Sequence, residues 1–167
     1  MKAAFFDRDG TIIKDYPDEQ WSYINSPEFL DGSIEALQKV AESGYKIIII
    51  TNQYLIGEGF ITENNYIEFT SKFLRELNSY DIDILDIFYC HHSRNRGCDC
   101  CKPKSGLITQ ALEKYPEIDL SQSFFCGDSL CDEELAKNIN IKFFWSKSIT
   151  TILQEINKTY VDLGVYS

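Results

Sequence analysis

The sequence predicts an α/β fold: a single Rossmann-like open parallel sheet with helices on both faces. Three observations carry that prediction. Five short runs of apolar residues, rich in β-branched and aromatic side chains, each end at a polar residue, the pattern of strands buried on both faces. Helical patterns fill most of the intervals, and such alternation argues parallel strands joined by right-handed crossovers. The chain has 167 residues, 44% hydrophobic and 14% aromatic, enough for one full core.

The elements follow in order. Ala3 to Phe6 stops at Asp7, and Ile47 to Ile50 stops at Thr51. Ile87 to Cys90 stops at His91 and His92, Phe124 to Cys126 at Gly127 and Asp128, and Ile141 to Trp145 at Ser146. After the first strand, Ser33 to Ser43 carries Ile34, Leu37, Val40 and Ala41 at helical spacing, with Gly44 as C-cap. A second helix opens at Thr62, three residues before Asn65, and runs through Tyr66, Ile67, Phe69, Phe73, Leu74 and Leu77. Leu107, Ile108, Ala111 and Leu112 mark a third and Leu135 and Ala136 a short fourth; Ile149, Ile152, Leu153 and Ile156 mark a fifth. No repeat, low-complexity tract or Pro/Gly-rich linker divides the chain, so residues 1–167 read as one domain.

Charge narrows the partners. Sixteen Lys+Arg against 26 Asp+Glu leave a formal charge of -10, which repels duplex nucleic acid and anionic membranes. No run of 18 apolar residues is present, and the first apolar stretch breaks after four, too short for a secretory segment. The expectation is a cytoplasmic monomer with no nucleic-acid or membrane partner. In that reducing compartment the six cysteines need another account. Four of them, Cys90, Cys98, Cys100 and Cys101, cluster as metal ligands do, whereas Cys126 and Cys131 read as small core fillers.

Open α/β sheets bind ligands beyond the carboxyl ends of their strands. Those ends bear Asp7, Thr51, His92 and Asp128. In Phe6-Asp7-Arg8-Asp9-Gly10-Thr11, two carboxylates straddle a strand end and a glycine follows where the chain must turn. One carboxylate can attack phosphorus while the other exchanges a proton with the leaving oxygen. A second group, Cys90-x-His92-x5-Cys98-x-Cys100, offers three thiolates and one imidazole, a donor set suited to tetrahedral zinc. Geometry alone would equally allow His91.

With these motifs the chain resembles the haloacid dehalogenase superfamily of aspartyl-phosphate enzymes. Thr51-Asn52 resembles its phosphate-holding motif, Lys102 its motif lysine, and Gly127-Asp128-Ser129 with Asp132 its acidic metal motif. A receiver-type phosphoacceptor domain shares an Asp, a Thr and a Lys, but its acidic pair precedes the phosphoacceptor strand; the order here favours the phosphatase. The resemblance implies catalysis by Asp7, Asp9, Thr51, Asn52 and Lys102. It also implies Mg²⁺ held by Asp7, Asp128 and the backbone carbonyl of Asp9. The cysteine loop narrows the likeness to the group of histidinol-phosphate and heptose bisphosphate phosphatases, which lack a separate cap domain and place a structural zinc loop just before the lysine. Spacing from that likeness selects His92 as the fourth zinc ligand.

The substrate expected is a small phosphorylated metabolite, a sugar phosphate or bisphosphate. Histidinol phosphate, a nucleotide or a polynucleotide end are the alternatives, as is a non-catalytic zinc-braced binding module. Gln53, Cys101 and Ser129 are the substrate-binding candidates. The resembled group commonly has Arg where this chain has Cys101 and a cation where it has Ser129, which weakens the case for a bisphosphate. Arg8, Arg94, Arg96 and Lys104 are the cations left to substitute. The segment Tyr16 to Phe29, with Trp21 and Tyr23, reads as a packed surface loop, with lining of a sugar or base pocket as its other reading.

Overall fold

The structure, a computed structural model, describes residues 1–146. The fifth helix expected around Ile149 to Ile156 lies outside the described residues. Five parallel strands, β1 (Ala3–Phe6), β2 (Lys46–Asn52), β3 (Ile84–Cys90), β4 (Phe124–Gly127) and β5 (Lys142–Trp145), form one sheet in the order β3-β2-β1-β4-β5. The helices are α1 (Ser33–Glu42), α2 (Tyr54–Gly57), α3 (Glu63–Ser79), α4 (Gly106–Lys114) and α5 (Leu130–Asn138).

The two-residue period of a strand explains the two layers of core. Ala4, Phe6, Ile47, Ile49 and Phe124 face one side, where they meet Leu37 and Val40 of α1 and Phe69, Phe73 and Leu77 of α3. Ala3, Phe5, Ile48, Ile50 and Phe125 face the other, against Leu107, Ile108 and Ala111 of α4 and Leu135 and Ala136 of α5. Phe5 and Phe73 have no exposed surface, so truncating either to Ala would cost about 3–5 kcal/mol. Thr62 caps α3 as its sequence suggests: its Oγ1 accepts from the Asn65 amide at 3.0 Å, and Asn65 Oδ1 accepts from the Thr62 amide at 3.0 Å.

Two expectations need adjusting. The strands β2 and β3 are longer than their apolar runs: Thr51 and Asn52 extend β2 by pairing with Tyr89 and Cys90, and β3 starts earlier, with Ile84 and Asp86 paired to Ile47 and Ile48. Asp86, which interrupts the run in β3, pairs its carboxylate with Lys114 at the end of α4 and with Tyr115 just beyond it. Nor are all five strands buried on both faces. As edge strands, β3 and β5 are only partly covered, and Lys142 is exposed.

The order also locates the crevice. From β1 the chain steps outward to β2 and β3, then returns to place β4 on the opposite side of β1. That reversal opens a cleft at the carboxyl ends of β1 and β4, where ligands of open α/β sheets bind. Asp7 and Asp128 stand at those two ends.

Candidate active site

A cavity of about 200 Å³ opens there, lined by Asp7, Asp9, Thr51, Asn52, Lys102 and Asp128 together with Asp15, Trp21, Tyr54, Leu55, Ser129 and Cys131. Asp7 continues β1, its amide donating to the Cys126 carbonyl at 3.0 Å. Gly10 turns the chain with φ +84°, and a Cβ there would lie 2.1 Å from Asp128 Oδ2. The bare glycine therefore both makes the turn and admits the second carboxylate. Thr11 Oγ1 stands 3.4 Å from Asp7 Oδ2 and 3.2 Å from Asp128 Oδ1, tying the two strand ends together.

Lys102 is buried and its ammonium reaches both Asp7 Oδ1, at 2.8 Å, and Asp132 Oδ1, at 2.7 Å. Burial alone would lower the pKa of this lysine, but the two carboxylates raise it above its ordinary value, so it remains a cation. Asp7 also lies above its usual range. Burial pushes its carboxyl well up, Lys102 pulls it down, and Asp132 pushes it up again. Among the described residues, the cavity wall thus carries Asp7, Asp9, Asp15 and Asp128 against the single cation Lys102. That surplus of carboxylates, with oxygens of buried Asp7 and Asp132 and exposed Asp128 within 4.8 Å of one another, fits a hard divalent cation. Asp132 is already committed to Lys102 and Ser129, which leaves Asp7 and Asp128 as the carboxylates to hold it.

Not every expected residue faces the cavity as foreseen. Asn52 lines it, but its amide group is engaged by the main chain of Lys102: Nδ2 donates to the carbonyl at 3.2 Å and Oδ1 accepts from the amide at 2.9 Å. It anchors the lysine, and one N–H of Nδ2 remains for a ligand. Gln53 stands behind the wall, buried, donating to Asp9 Oδ2 and Thr51 Oγ1, both at 2.9 Å. Cys101 is not among the lining residues; its apolar thiol packs against the cluster beneath α4 and α5. Cys131, expected as core filler, instead lines the cavity with its Sγ 3.0 Å from Ser129 Oγ, while Cys126 is fully buried.

The spare cations are elsewhere too. Arg8 is turned inward onto Asp9, with 2% of its side chain exposed. Arg94 pairs with Glu58 and Asp18, Lys104 donates to the Cys98 carbonyl, and Arg96 is exposed; none lines the cavity. The far wall corresponds to the pocket-lining alternative for the Tyr16 to Phe29 segment, whereas the sequence reading did not single out Tyr54. Trp21 is buried against Tyr16 and Phe69, donates from Nε1 to Asp15 Oδ1 at 3.1 Å, and joins Tyr54 in lining the cavity. The packing of Trp21 fits the packed-loop reading of its segment, and its place in the wall fits the pocket-lining one.

The cysteine loop leads straight into Lys102. Sγ of Cys90 lies 3.5 Å from His92 Nδ1, 3.5 Å from Cys98 Sγ and 2.9 Å from Cys100 Sγ, and His92 Nδ1 lies 3.1 Å from Cys100 Sγ. All four cysteines of the loop are free thiols. His91 is outside this group, exposed, edge-on to Tyr89 and tilted against His92, so the imidazole that converges with the sulfurs is that of His92. Burial raises the Cys90 thiol pKa above its ordinary value, helped by Cys100. Three sulfurs and one imidazole at mutual contact fit zinc, with no donor position left for water. Gly57 of α2 presses on this loop; a Cβ would fall 2.4 Å from the Ser93 amide nitrogen.

Comparison with known proteins adds the family. A family model described as polynucleotide kinase 3 phosphatase matches residues 2–150. A probable D-glycero-D-manno-heptose-1,7-bisphosphate 7-phosphatase of Thermoplasma volcanium is 38% identical over 147 residues, covering 86% of this chain and 97% of that protein. The D-glycero-beta-D-manno-heptose-1,7-bisphosphate 7-phosphatase of Haemophilus influenzae is also 38% identical over 147 residues, covering 84% and 77%. Among solved structures, the D,D-heptose 1,7-bisphosphate phosphatase of B. bronchiseptica, complexed with magnesium and phosphate, superposes with a TM-score of 0.76. It is 26% identical, and the match covers 86% of this chain and 79% of that one.

Proposed function

Because the chain belongs to the polynucleotide kinase 3 phosphatase family of haloacid dehalogenase-like phosphatases, we propose that it is a Mg²⁺-dependent phosphomonoesterase acting on a small phosphorylated sugar through an aspartyl-phosphate on Asp7. The observation that carries this reading is the placement of Asp7: a buried carboxylate at a strand end, touched by Lys102 and 3.4 Å from Thr11 Oγ1. Asp7 Oδ2 attacks phosphorus, and Asp9 supplies a proton to the leaving oxygen and later takes one from water. Thr51 Oγ and the Asn52 amide meet phosphoryl oxygens, while Lys102 restrains Asp7 and offsets charge. Asp7, Asp128 and the Asp9 carbonyl hold Mg²⁺, which offsets the repulsion between a carboxylate and a phosphate dianion. Cys90, His92, Cys98 and Cys100 hold a structural zinc that braces the loop carrying Lys102.

Several of the relatives are named for a heptose bisphosphate, which supports a sugar phosphate as the substrate class. The family description names polynucleotides, but a wall with four carboxylates and one cation is a poor surface for a polyanion. A panel of phosphometabolites, assayed for phosphate release with Mg²⁺, tests the proposal. Turnover of sugar phosphates is expected. Turnover confined to 3′-phosphorylated oligonucleotides would overturn the substrate assignment, and turnover of nothing would overturn the activity.

A further inference from the structure

We propose that Arg8 and Gln53 are positioning residues for Asp9, and that through Arg8 the helix α3 becomes part of the catalytic scaffold. The proposal rests on the reading above, in which Asp9 exchanges the proton with the leaving oxygen.

A carboxylate offers about four acceptor sites, two on each oxygen. Arg8 Nε donates to Asp9 Oδ1 at 2.8 Å, and Arg8 Nη2 donates to Oδ2 at 3.2 Å. Gln53 Nε2 donates to Oδ2 at 2.9 Å. Both sites on Oδ2 are thereby filled and one site on Oδ1 remains, so the exchanging proton is carried on Oδ1. A fork of this kind fixes the plane of the carboxylate as well as its position.

Two features set this apart from an ordinary core ion pair. Gln53 Oε1 is buried with no hydrogen-bond partner among the described residues, while Nε2 of the same amide serves both Asp9 and Thr51. The amide forgoes one hydrogen bond to aim its N–H groups at the proton-exchanging and phosphate-facing side chains. Arg8, in turn, is held from behind by α3. Its guanidinium carbon lies 5.0 Å from the Phe69 ring centroid and 5.4 Å from that of Tyr66, with Nη1 3.4 Å from Thr70 Oγ1. An apolar residue would fill that space without desolvating a charge.

Leaving-group dependence separates positioning from mere stabilisation. Release of an alkyl alcohol needs the proton from Asp9; release of p-nitrophenolate does not. In Arg8→Met, with Mg²⁺ present, kcat/KM for an alkyl phosphate such as a sugar 6-phosphate should fall by about 30- to 1,000-fold. That for p-nitrophenyl phosphate should fall by less than about threefold. Arg8→Lys keeps the cation without the fork and should show the same selectivity in smaller measure; it decides the matter if the Met variant does not fold. Gln53→Met should do likewise. Equal losses on both esters, or no loss on either, would overturn the proposal. Wild-type protein that hydrolyses neither ester would overturn the underlying phosphatase reading and the proposal with it.

Discussion

Lys102 Nζ lies 2.7 Å from Asp132 Oδ1, and the Asp132 side chain has no exposed surface. The same carboxylate receives Ser129 on its other oxygen, from Oγ at 2.8 Å and from the amide at 3.3 Å. Asp132 therefore joins the start of α5 to the lysine that touches Asp7. Removing one partner of a buried pair leaves the other desolvated and unmatched, typically at about 3–5 kcal/mol. Asp132→Asn should accordingly lower unfolding stability by about 3 kcal/mol and reduce phosphate release, since Lys102 then leans on Asp7 alone. Urea titration beside an activity assay checks both; an unchanged midpoint would remove the proposed anchor.

Zinc removal should couple to folding of the loop. Protein purified without added metal should contain one zinc per chain, and Cys98→Ser should lose the metal together with thermal stability. Activity should fall as well, because residues 90–102 run from the cluster to Lys102 without interruption. Metal analysis showing no zinc in the wild type, with its four loop cysteines titrating freely, is the contrary result.

Much of this site was legible because the informative residues sit beside strand ends. Asp7, Thr51 and Asp128 mark where apolar runs stop, and the cysteine spacing marks a ligand set. Arg8 was not legible in the same way. As one charged residue between two others it reads as a free cation, and only packing against Phe69 and Tyr66 shows it turned inward. The partnership of Lys102 with Asp132 spans 30 residues and depends on how α5 docks, which no local pattern encodes. Cys101 illustrates the opposite error. Its neighbour Lys102 faces the cavity, but consecutive residues in this turn point to different sides, and its thiol has apolar neighbours to join.

Asp86 gives a pH-dependent signature away from the site. Burial alone would raise its pKa, but hydrogen bonds from Lys114, Tyr115 and the Ile87 amide hold it below the ordinary value of 3.8. A depressed folded-state pKa stabilises above the unfolded value and is lost as the pH falls through the folded one. Asp86→Asn should therefore be less stable than wild type at pH 7, by less than about 1 kcal/mol for so exposed an ion pair. The difference should shrink on acidification below pH 3.8 and vanish once the wild-type carboxyl is protonated in both states. Denaturation midpoints measured across that range check the sign; a gap that widens in acid would contradict it.

Among the described residues Lys102 is the one cation lining the cavity, and this bears on the substrate. A second phosphate on the sugar would forgo charge-assisted contacts worth about 1.5–3 kcal/mol each. A heptose 1,7-bisphosphate should then be hydrolysed no better than a comparable monophosphate. Ser129→Lys should raise the bisphosphate preference in kcat/KM by about tenfold or more, at about 1 kcal/mol of stability for the lost polar residue ahead of α5. Strong wild-type selectivity for the bisphosphate would show that the second phosphate is met from outside this wall.

Asp7 carries the central claim, and one comparison tests it most directly: phosphate release from a sugar phosphate by wild type and by Asp7→Asn, each with Mg²⁺ and with excess EDTA. The amide keeps the shape of the side chain and the contact with Thr11 but cannot attack phosphorus. The account predicts activity in the wild type with Mg²⁺ alone and none in the other three samples. Full wild-type activity in EDTA, or turnover by Asp7→Asn, would contradict it.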